Sequence, residues 1–263
     1  MLRATAIAFV FFAYGPVYIG TLRLLGAFKL PGGRTMSRLT YRTLCAILRV
    51  RVRVVGAPVQ NHPVLVVANH SSWLDILVIA SVAPVAYVTK REMLKWPLVG
   101  AAARAEGAVF IDRERRQQAG EASADIAARL AEGRPVLLFA EGTSSDGNRV
   151  LPFRSALLGA ANAALSQLKA DQRMFVQPLS ICYTRQHGLP MGRQHRPLVA
   201  WYGDLEFMPH FKDFLRHGAV DVVITWGEPL PYGDGADRKA VARTLELAVR
   251  RTTAHTLRAS PAA

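Results

Sequence analysis

His70 and Asp75 are the two residues whose types and spacing could move a proton, and they follow directly on an apolar, β-branched run. Val64-Leu65-Val66-Val67-Ala68 reads as a buried strand, and Asn69-His70-Ser71-Ser72 cannot continue it. A second apolar run, Ile76 to Val82, reads as a helix. The carboxyl end of a strand is where α/β proteins build their sites. On a regular helix, residues five apart point apart, since neighbours on one face are three or four apart. His70 therefore meets Asp75 only from a strand-to-helix loop that folds back over the first helical turn. In that arrangement Asp75 accepts the Nδ1 proton and leaves Nε2 free to take a proton from a substrate hydroxyl. Ser72-x-x-Asp75 is equally a capping-box pattern, in which Asp75 only satisfies a free amide. On these residues alone the two readings stand level.

The elements around this turn alternate. Val50 to Val54, Val85 to Val88, Gly107 to Ile111, Pro135 to Phe139, Met174 to Ile181, Leu198 to Tyr202 and Val220 to Thr225 read as strands. Arg34 to Leu48, Trp96 to Gly100, Ser123 to Leu130, Ser155 to Leu168, Phe207 to Arg216 and Ala236 to Thr256 read as helices. Three of the strands end in polar or charged residues: Thr89-Lys90-Arg91, Asp112-Arg113 and Glu141-Gly142-Thr143. Strands alternating with helices predict an α/β fold with a mixed, mostly parallel sheet flanked by helices. The chain is read as a membrane anchor with a basic amphipathic helix over 1–49 and a catalytic domain over 50–263.

The chain has 263 residues, 51% hydrophobic, enough to bury one sizeable core. Cys45 and Cys182 match no disulfide framework and no zinc spacing, so they are expected to be inert core residues in a reducing compartment. The histidines show no metal-ligand spacing, and neither a metal nor another cofactor is expected. The formal charge is +14, and no Asp or Glu precedes Asp75. Such asymmetry suggests a polyanion, either nucleic acid or an anionic membrane. Aromatic residues do not interleave with the cations, as nucleic-acid binding would want. They cluster in the uncharged run Ala4 to Leu22, which at 1.5 Å per residue measures about 28 Å, against ~30 Å of hydrocarbon. Gly15-Pro16 interrupts the run, so a kinked transmembrane helix and a re-entrant hairpin both fit. A signal peptide is disfavoured, since no small-x-small cleavage site follows. In Arg34 to Leu48, Met36, Leu39, Thr43, Leu44 and Ile47 fall on one side and Arg34, Arg38 and Arg42 on another, which predicts a helix lying on anionic headgroups. The arginine excess after the apolar run predicts an inner-membrane protein with its catalytic domain facing the cytoplasm.

Four blocks in order then carry a resemblance. Asn69-His70-x-x-x-x-Asp75, Gly107-x-x-Phe110-Ile111-Asp112-Arg113, Phe139-Ala140-Glu141-Gly142-Thr143 and Val176-Gln177-Pro178-Leu179 resemble the glycerophospholipid acyltransferase family, which includes bacterial 1-acylglycerol-3-phosphate acyltransferases. The resemblance implies that a lipid hydroxyl attacks the thioester of acyl-CoA or acyl-carrier protein. His70 would be the base and Asp75 its partner, with no acyl-enzyme. Backbone amides of the Gly142-Thr143 turn would receive the oxyanion. Arg113 and Glu141, with Gly142, Thr143 and Lys90, would bind the acceptor headgroup. The family's third block commonly reads Phe-Pro-Glu-Gly-Thr-Arg, but here Ala140 and Ser144 stand at its proline and arginine. Arg149 or Arg154 could replace the missing cation. Otherwise the acceptor lacks a phosphate, as in the lyso-ornithine lipid acyltransferases, which resemble this chain in the same block. The first expectation is transfer to 1-acylglycerol-3-phosphate, giving phosphatidic acid; the second is transfer to lyso-ornithine lipid. The third is a non-catalytic protein binding anionic lipid.

Overall fold

Alternation along the strand Val64–Ala68 decides the layering. Val64, Val66 and Ala68 pack into one apolar cluster, while Leu65 and Val67 pack into a second on the opposite face. Successive side chains of a strand point to opposite faces, so a strand apolar throughout must be covered on both sides. The computed structural model describes residues 5–6, 9–28, 30–111, 119–166, 168, 173–233 and 235–259. In chain order its strands are β1 (Val50–Val55), β2 (Val64–Ala68), β3 (Ala86–Lys90), β4 (Val109–Ile111), β5 (Val136–Phe139), β6 (Met174–Gln186), β7 (Leu189–Pro190), β8 (Val220–Trp226) and β9 (Leu230–Tyr232). They form one mixed sheet in the order β1-β8-β6-β2-β5-β3-β4, with β7 and β9 also paired to β6.

From β6 to β4 the neighbours run parallel, so β2, β5, β3 and β4 all end at the same edge. β8 and β9 run antiparallel to β6, and β1 pairs in parallel with β8. Helices Leu74–Val82 and Phe207–His217 send Val78, Ile79 and Phe214 into the first cluster. Helices Ala119–Ala131 and Arg238–Arg258 send Ile126, Leu130, Leu245 and Val249 into the second. The α/β fold with helices on both faces of a mixed sheet is therefore present, as the alternation predicts.

Several elements differ from expectation. Residues 198–202 do not form a strand. Val199 O accepts Ser72 Oγ–H at 2.7 Å, Trp201 N–H donates to Ser71 O at 2.8 Å, and Trp201 O accepts Ser144 Oγ–H at 2.6 Å. The backbone groups a ladder needs are spent on the loop that carries His70. β6 runs on to Gln186, past the expected end at Ile181, and β7 and β9 were not read from the sequence. Residues 155–168 begin as a 3₁₀ turn, Ser155–Leu158, before a short helix, Gly159–Leu165.

The N-terminal segment also departs from the reading as a transmembrane helix. Val10–Tyr14 is π-helical and Gly15–Ala27 is α-helical, and among the described residues no helix is long and apolar enough to cross a membrane. Tyr18, Ile19 and Leu22 are buried against Met36, Leu98 and Ala101. Tyr18 OH donates to Glu106 Oε1, and Tyr41 OH donates to Glu106 Oε2 at 2.6 Å. One face of this helix is thus committed to protein. In helix Gly33–Ile47 the buried side chains are Thr40, Tyr41 and Cys45, while Leu39 is exposed. The Nε groups of Arg38 and Arg42 donate to Ser81 O at the end of helix Leu74–Val82. Both cysteines are free and buried, and burial pushes both thiols up, Cys45 to about 11.

Candidate active site

The turn after β2 sits at the shared carboxyl edge, and its conformation is held by bonds to every strand and loop around it. Asn69 Nδ2–H donates to Ile181 O at 2.9 Å, and Ile181 N–H donates to Asn69 Oδ1 at 2.8 Å. Asn69 thus continues the β2–β6 pairing with its side-chain amide where the β2 backbone turns away. Ser145 N–H donates to His70 O at 2.9 Å. His70 N–H donates to Glu141 Oε1 at 2.9 Å, and Leu151 N–H donates to Glu141 Oε2 at 3.0 Å.

His70 and Asp75 meet. His70 Nδ1 lies 2.8 Å from Asp75 Oδ2, and that oxygen also accepts Ser71 N–H at 2.8 Å and Ser72 N–H at 3.0 Å. Tyr183 OH donates to Asp75 Oδ1 at 2.7 Å. The cap and the dyad are one arrangement, because the carboxylate that satisfies the loop amides also faces the imidazole. Asp75 is fully buried, while the His70 side chain is 21% exposed. A carboxylate has no proton to give, so in the neutral ring Nδ1 carries the hydrogen and Nε2 is left as a lone pair. The imidazole stacks on Phe139 at 4.0 Å between centroids and 18° between planes. The negative face of that ring favours the positive charge that develops when Nε2 accepts a proton.

Sequence reasoning missed Tyr183, which lies two residues beyond the expected end of β6. Cys182-Tyr183-Thr184 continue the β-prone run, and alternation from Ile181 would have put Tyr183 on the same face of the sheet. Tyr183→Phe leaves Asp75 Oδ1 without its donor. Loss of a buried bond to a charged group predicts a destabilisation of about 1.5–3 kcal/mol, read from urea unfolding.

Glu141 is 2% exposed and both its oxygens accept backbone amides. Its position makes it a brace between the His70 turn and the loop at Leu151. Burial pushes its carboxyl up to about 8, with the charge of Asp75 adding to the rise and the two amide bonds opposing it. Its folded value lies above the ordinary 4.5, so the corresponding stability is fully present below that pH and is lost as the pH rises through about 8. Glu141→Gln is expected to flatten this fall, measured by urea titrations across that range.

The other expected residues are placed as follows. Gly142 is left-handed (φ 72°), and a Cβ there would stand 2.9 Å from Arg154 Nε, so the Arg154 side chain lies over it. Gly142 N–H donates to Phe139 O at 3.1 Å; this expected oxyanion donor is spent inside the turn. Thr143 is exposed on the same turn, and Lys90 is exposed at the end of β3. β3 lies two strands from β2, about 10 Å away. Lys90 pairs in register with Ile111, which leads toward Arg113. Arg113 itself lies outside the described residues. Arg149 lines a small cavity with Ser71, Ser145 and Arg196. Trp73, just after the turn, packs on Phe207, Phe211 and Phe214, and its indole N–H donates to His210 Nδ1 at 3.2 Å. Helix Phe207–His217 is thereby locked to the same edge.

A buried acid, an imidazole with a free Nε2 and an opening to solvent suit general-base activation of a hydroxyl. The comparisons with known proteins agree with that chemistry. The Acyltransferase family model matches residues 51–182. A lyso-ornithine lipid O-acyltransferase of Brucella abortus (strain 2308) is 46% identical over 224 residues, 84% of this chain and 84% of that protein. One of Rhizobium meliloti (strain 1021) is 44% identical over 225 residues, 86% of this chain and 77% of its own. A 1-acyl-sn-glycerol-3-phosphate acyltransferase of Neisseria gonorrhoeae is 38% identical over 109 residues, 41% of this chain and 43% of its own. The crystal structure of the 1-acyl-sn-glycerophosphate (LPA) acyltransferase PlsC from Thermotoga maritima shares the fold, with a TM-score of 0.64 at 24% identity over 97% of this chain and 96% of that one. The chain belongs to the acyltransferase family, as an enzyme of the lysolipid O-acyltransferase kind.

Proposed function

We propose that this enzyme transfers a fatty acyl group from acyl-CoA or acyl-carrier protein to the hydroxyl of lyso-ornithine lipid. The observation that carries the acceptor is the 46% identity to a lyso-ornithine lipid O-acyltransferase across 84% of both chains. The match to a glycerophosphate acyltransferase covers 41% of this chain. Ser144, standing where the family's phosphate-binding arginine is common, supports the same choice. The order of the two expectations from the sequence, with 1-acylglycerol-3-phosphate first, is therefore reversed.

His70 Nε2 takes the proton of the acceptor hydroxyl as its oxygen attacks the thioester carbonyl. The imidazolium, held by Asp75, then returns that proton to the departing thiolate. Asp75 fixes the tautomer and the orientation of the ring, and Tyr183 and the Ser71 and Ser72 amides hold Asp75. No residue need become acylated.

The enzyme meets its lipid at a membrane surface through the N-terminal segment. Phe9, Phe12, Val17, Leu24, Phe28 and Leu30 are exposed there, beside a run of arginines without acidic neighbours. An apolar face flanked by cations lies in the headgroup region without crossing it. The arginine excess favours the anionic cytoplasmic leaflet, which supports a catalytic face on that side of the inner membrane.

Purified protein in mixed phospholipid vesicles, given labelled acyl donor and one acceptor at a time, tests the assignment. Preference for lyso-ornithine lipid is expected. Transfer to 1-acylglycerol-3-phosphate alone would reject it.

A further inference from the structure

The loop that lacks the family arginine brings a different guanidinium to the same edge. Ser144 Oγ–H holds Trp201 O, Trp201 N–H holds Ser71 O, and Ser72 Oγ–H holds Val199 O. These three bonds draw residues 196–201 against the back of the His70 turn, and Arg196 arrives with them. Its Nη1 donates to Asn148 Oδ1 at 3.0 Å. Its Nε is buried and has no hydrogen-bond partner among the described residues. A buried donor without a partner is unfavourable unless something completes it.

What lies beside it is a cavity of about 10 Å³, lined by Arg149, Arg196, Ser71 and Ser145 together with Cys182 and Leu257, among others. That volume holds one water-sized group, such as a single carboxylate oxygen, with the rest of a ligand outside. The place is close to the chemistry, since Ser145 donates to His70 O and Ser71 is the next residue after His70. Asp146 stands on the same loop, where its carboxylate accepts Asn148 N–H at 3.0 Å and Asn148 Nδ2–H at 3.3 Å. The charges gathered there are the guanidiniums of Arg149, Arg193 and Arg196 and the carboxylate of Asp146. A dianionic phosphate would be attracted by the guanidiniums and repelled by the carboxylate. A headgroup bearing both a carboxylate and an ammonium, as ornithine does, matches both signs.

We infer that Arg196, with Arg149 beside it, is the subsite that recognises the carboxylate of the acceptor headgroup while the acceptor hydroxyl lies at His70. This rests on the ornithine acceptor proposed above. Guanidinium is suited to the task because an Nε–H given to a carboxylate oxygen is a charge-assisted bond, stronger than a neutral one. Arg196 is a specificity residue here: it touches the headgroup and takes no part in proton transfer.

The test uses full-length protein in vesicles with saturating acyl-carrier protein bearing a long acyl chain. Wild type, Arg196→Gln and Arg196→Lys are each given lyso-ornithine lipid and the same lipid with its carboxylate converted to a carboxamide. Wild type is expected to show a KM about 10–100-fold higher for the carboxamide with kcat little changed, the size of one lost bond to a charged group. Arg196→Gln is expected to raise the KM for the natural acceptor by a similar factor and to treat the two lipids alike. Arg196→Lys keeps the charge and is expected to fall between them. A purely structural role for Arg196 would not erase the difference between the two lipids. Transfer to lyso-ornithine lipid by an Arg196→Gln enzyme, or an Arg196→Lys enzyme should the glutamine variant not fold, that keeps the full wild-type ratio overturns the subsite alone. A wild type that acylates only 1-acylglycerol-3-phosphate overturns the acceptor assignment and the subsite together.

Discussion

His70→Ala is expected to lower acyl transfer by about 10²–10⁴-fold, the usual contribution of a positioned general base. Its effect on stability should be small. The imidazole lies partly in solvent and stacks on Phe139, so its removal opens a dent at the surface instead of a cavity in the core. The bonds that shape the turn use the His70 backbone, whose N–H reaches Glu141 and whose carbonyl accepts from Ser145. Alanine keeps both. Thermal melting close to wild type beside lost transfer, with vesicle binding intact, would also exclude a protein that only binds anionic lipid. Transfer at the wild-type rate would remove His70 from the mechanism.

Asp75→Asn should cost both activity and stability. The carboxylate is fully buried and accepts from His70 Nδ1, Ser71 N, Ser72 N and Tyr183 OH. An asparagine has one acceptor oxygen, so its amide hydrogens must face either Tyr183 OH, which can turn to accept, or the loop amides and His70 Nδ1, which cannot all do so. Losing the charge that served these buried donors predicts a loss of about 1.5–3 kcal/mol. Transfer should fall by about 10³–10⁴-fold, as when the acid of a histidine pair becomes an amide and the ring takes the wrong tautomer. Urea midpoints and transfer rates measure the two effects. A variant with wild-type stability would show that the four bonds to Asp75 do not hold the turn.

The parts of the molecule legible in the sequence are those where local pattern and tertiary demand agree. Val64–Ala68 is apolar on both faces because it is central, and Pro135 to Phe139 reads the same way for the same reason. His70 and Asp75 could be paired because a strand end followed by a helix start leaves one loop geometry that brings them together. Other parts depended on groups distant in sequence. The segment Leu198 to Tyr202 has strand propensity, yet Ser71, Ser72 and Ser144 claim its backbone. By helical spacing Leu39 falls on the apolar side with Met36 and Ile47, whereas the buried side of that helix is set by Tyr41 reaching Glu106, 65 residues on. The apolar run before Leu22 is bulky enough to suggest a span, but Tyr18 turns inward to the same glutamate.

Glu141 shows how a motif can be placed by sequence while the partners of its side chain are not. Its place at a strand end beside His70 followed from the block it belongs to. That both oxygens would be taken by amides of His70 and Leu151 could not, because Leu151 lies ten residues on, across a loop whose path sequence does not give. Arg196 left no sequence signal of its own. It is held beside the His70 turn by the bonds that Ser71, Ser72 and Ser144 make to residues 199–201.

The account stands on the proton between His70 and Asp75. Nitrogen-15 NMR of histidine-labelled enzyme, with His70→Gln used to assign the resonance, observes it directly. The predicted spectrum at neutral pH has a protonated Nδ1 and an unprotonated, basic-type Nε2 for His70. A His70 ring carrying its hydrogen on Nε2, with Nδ1 bare beside Asp75, would contradict the mechanism.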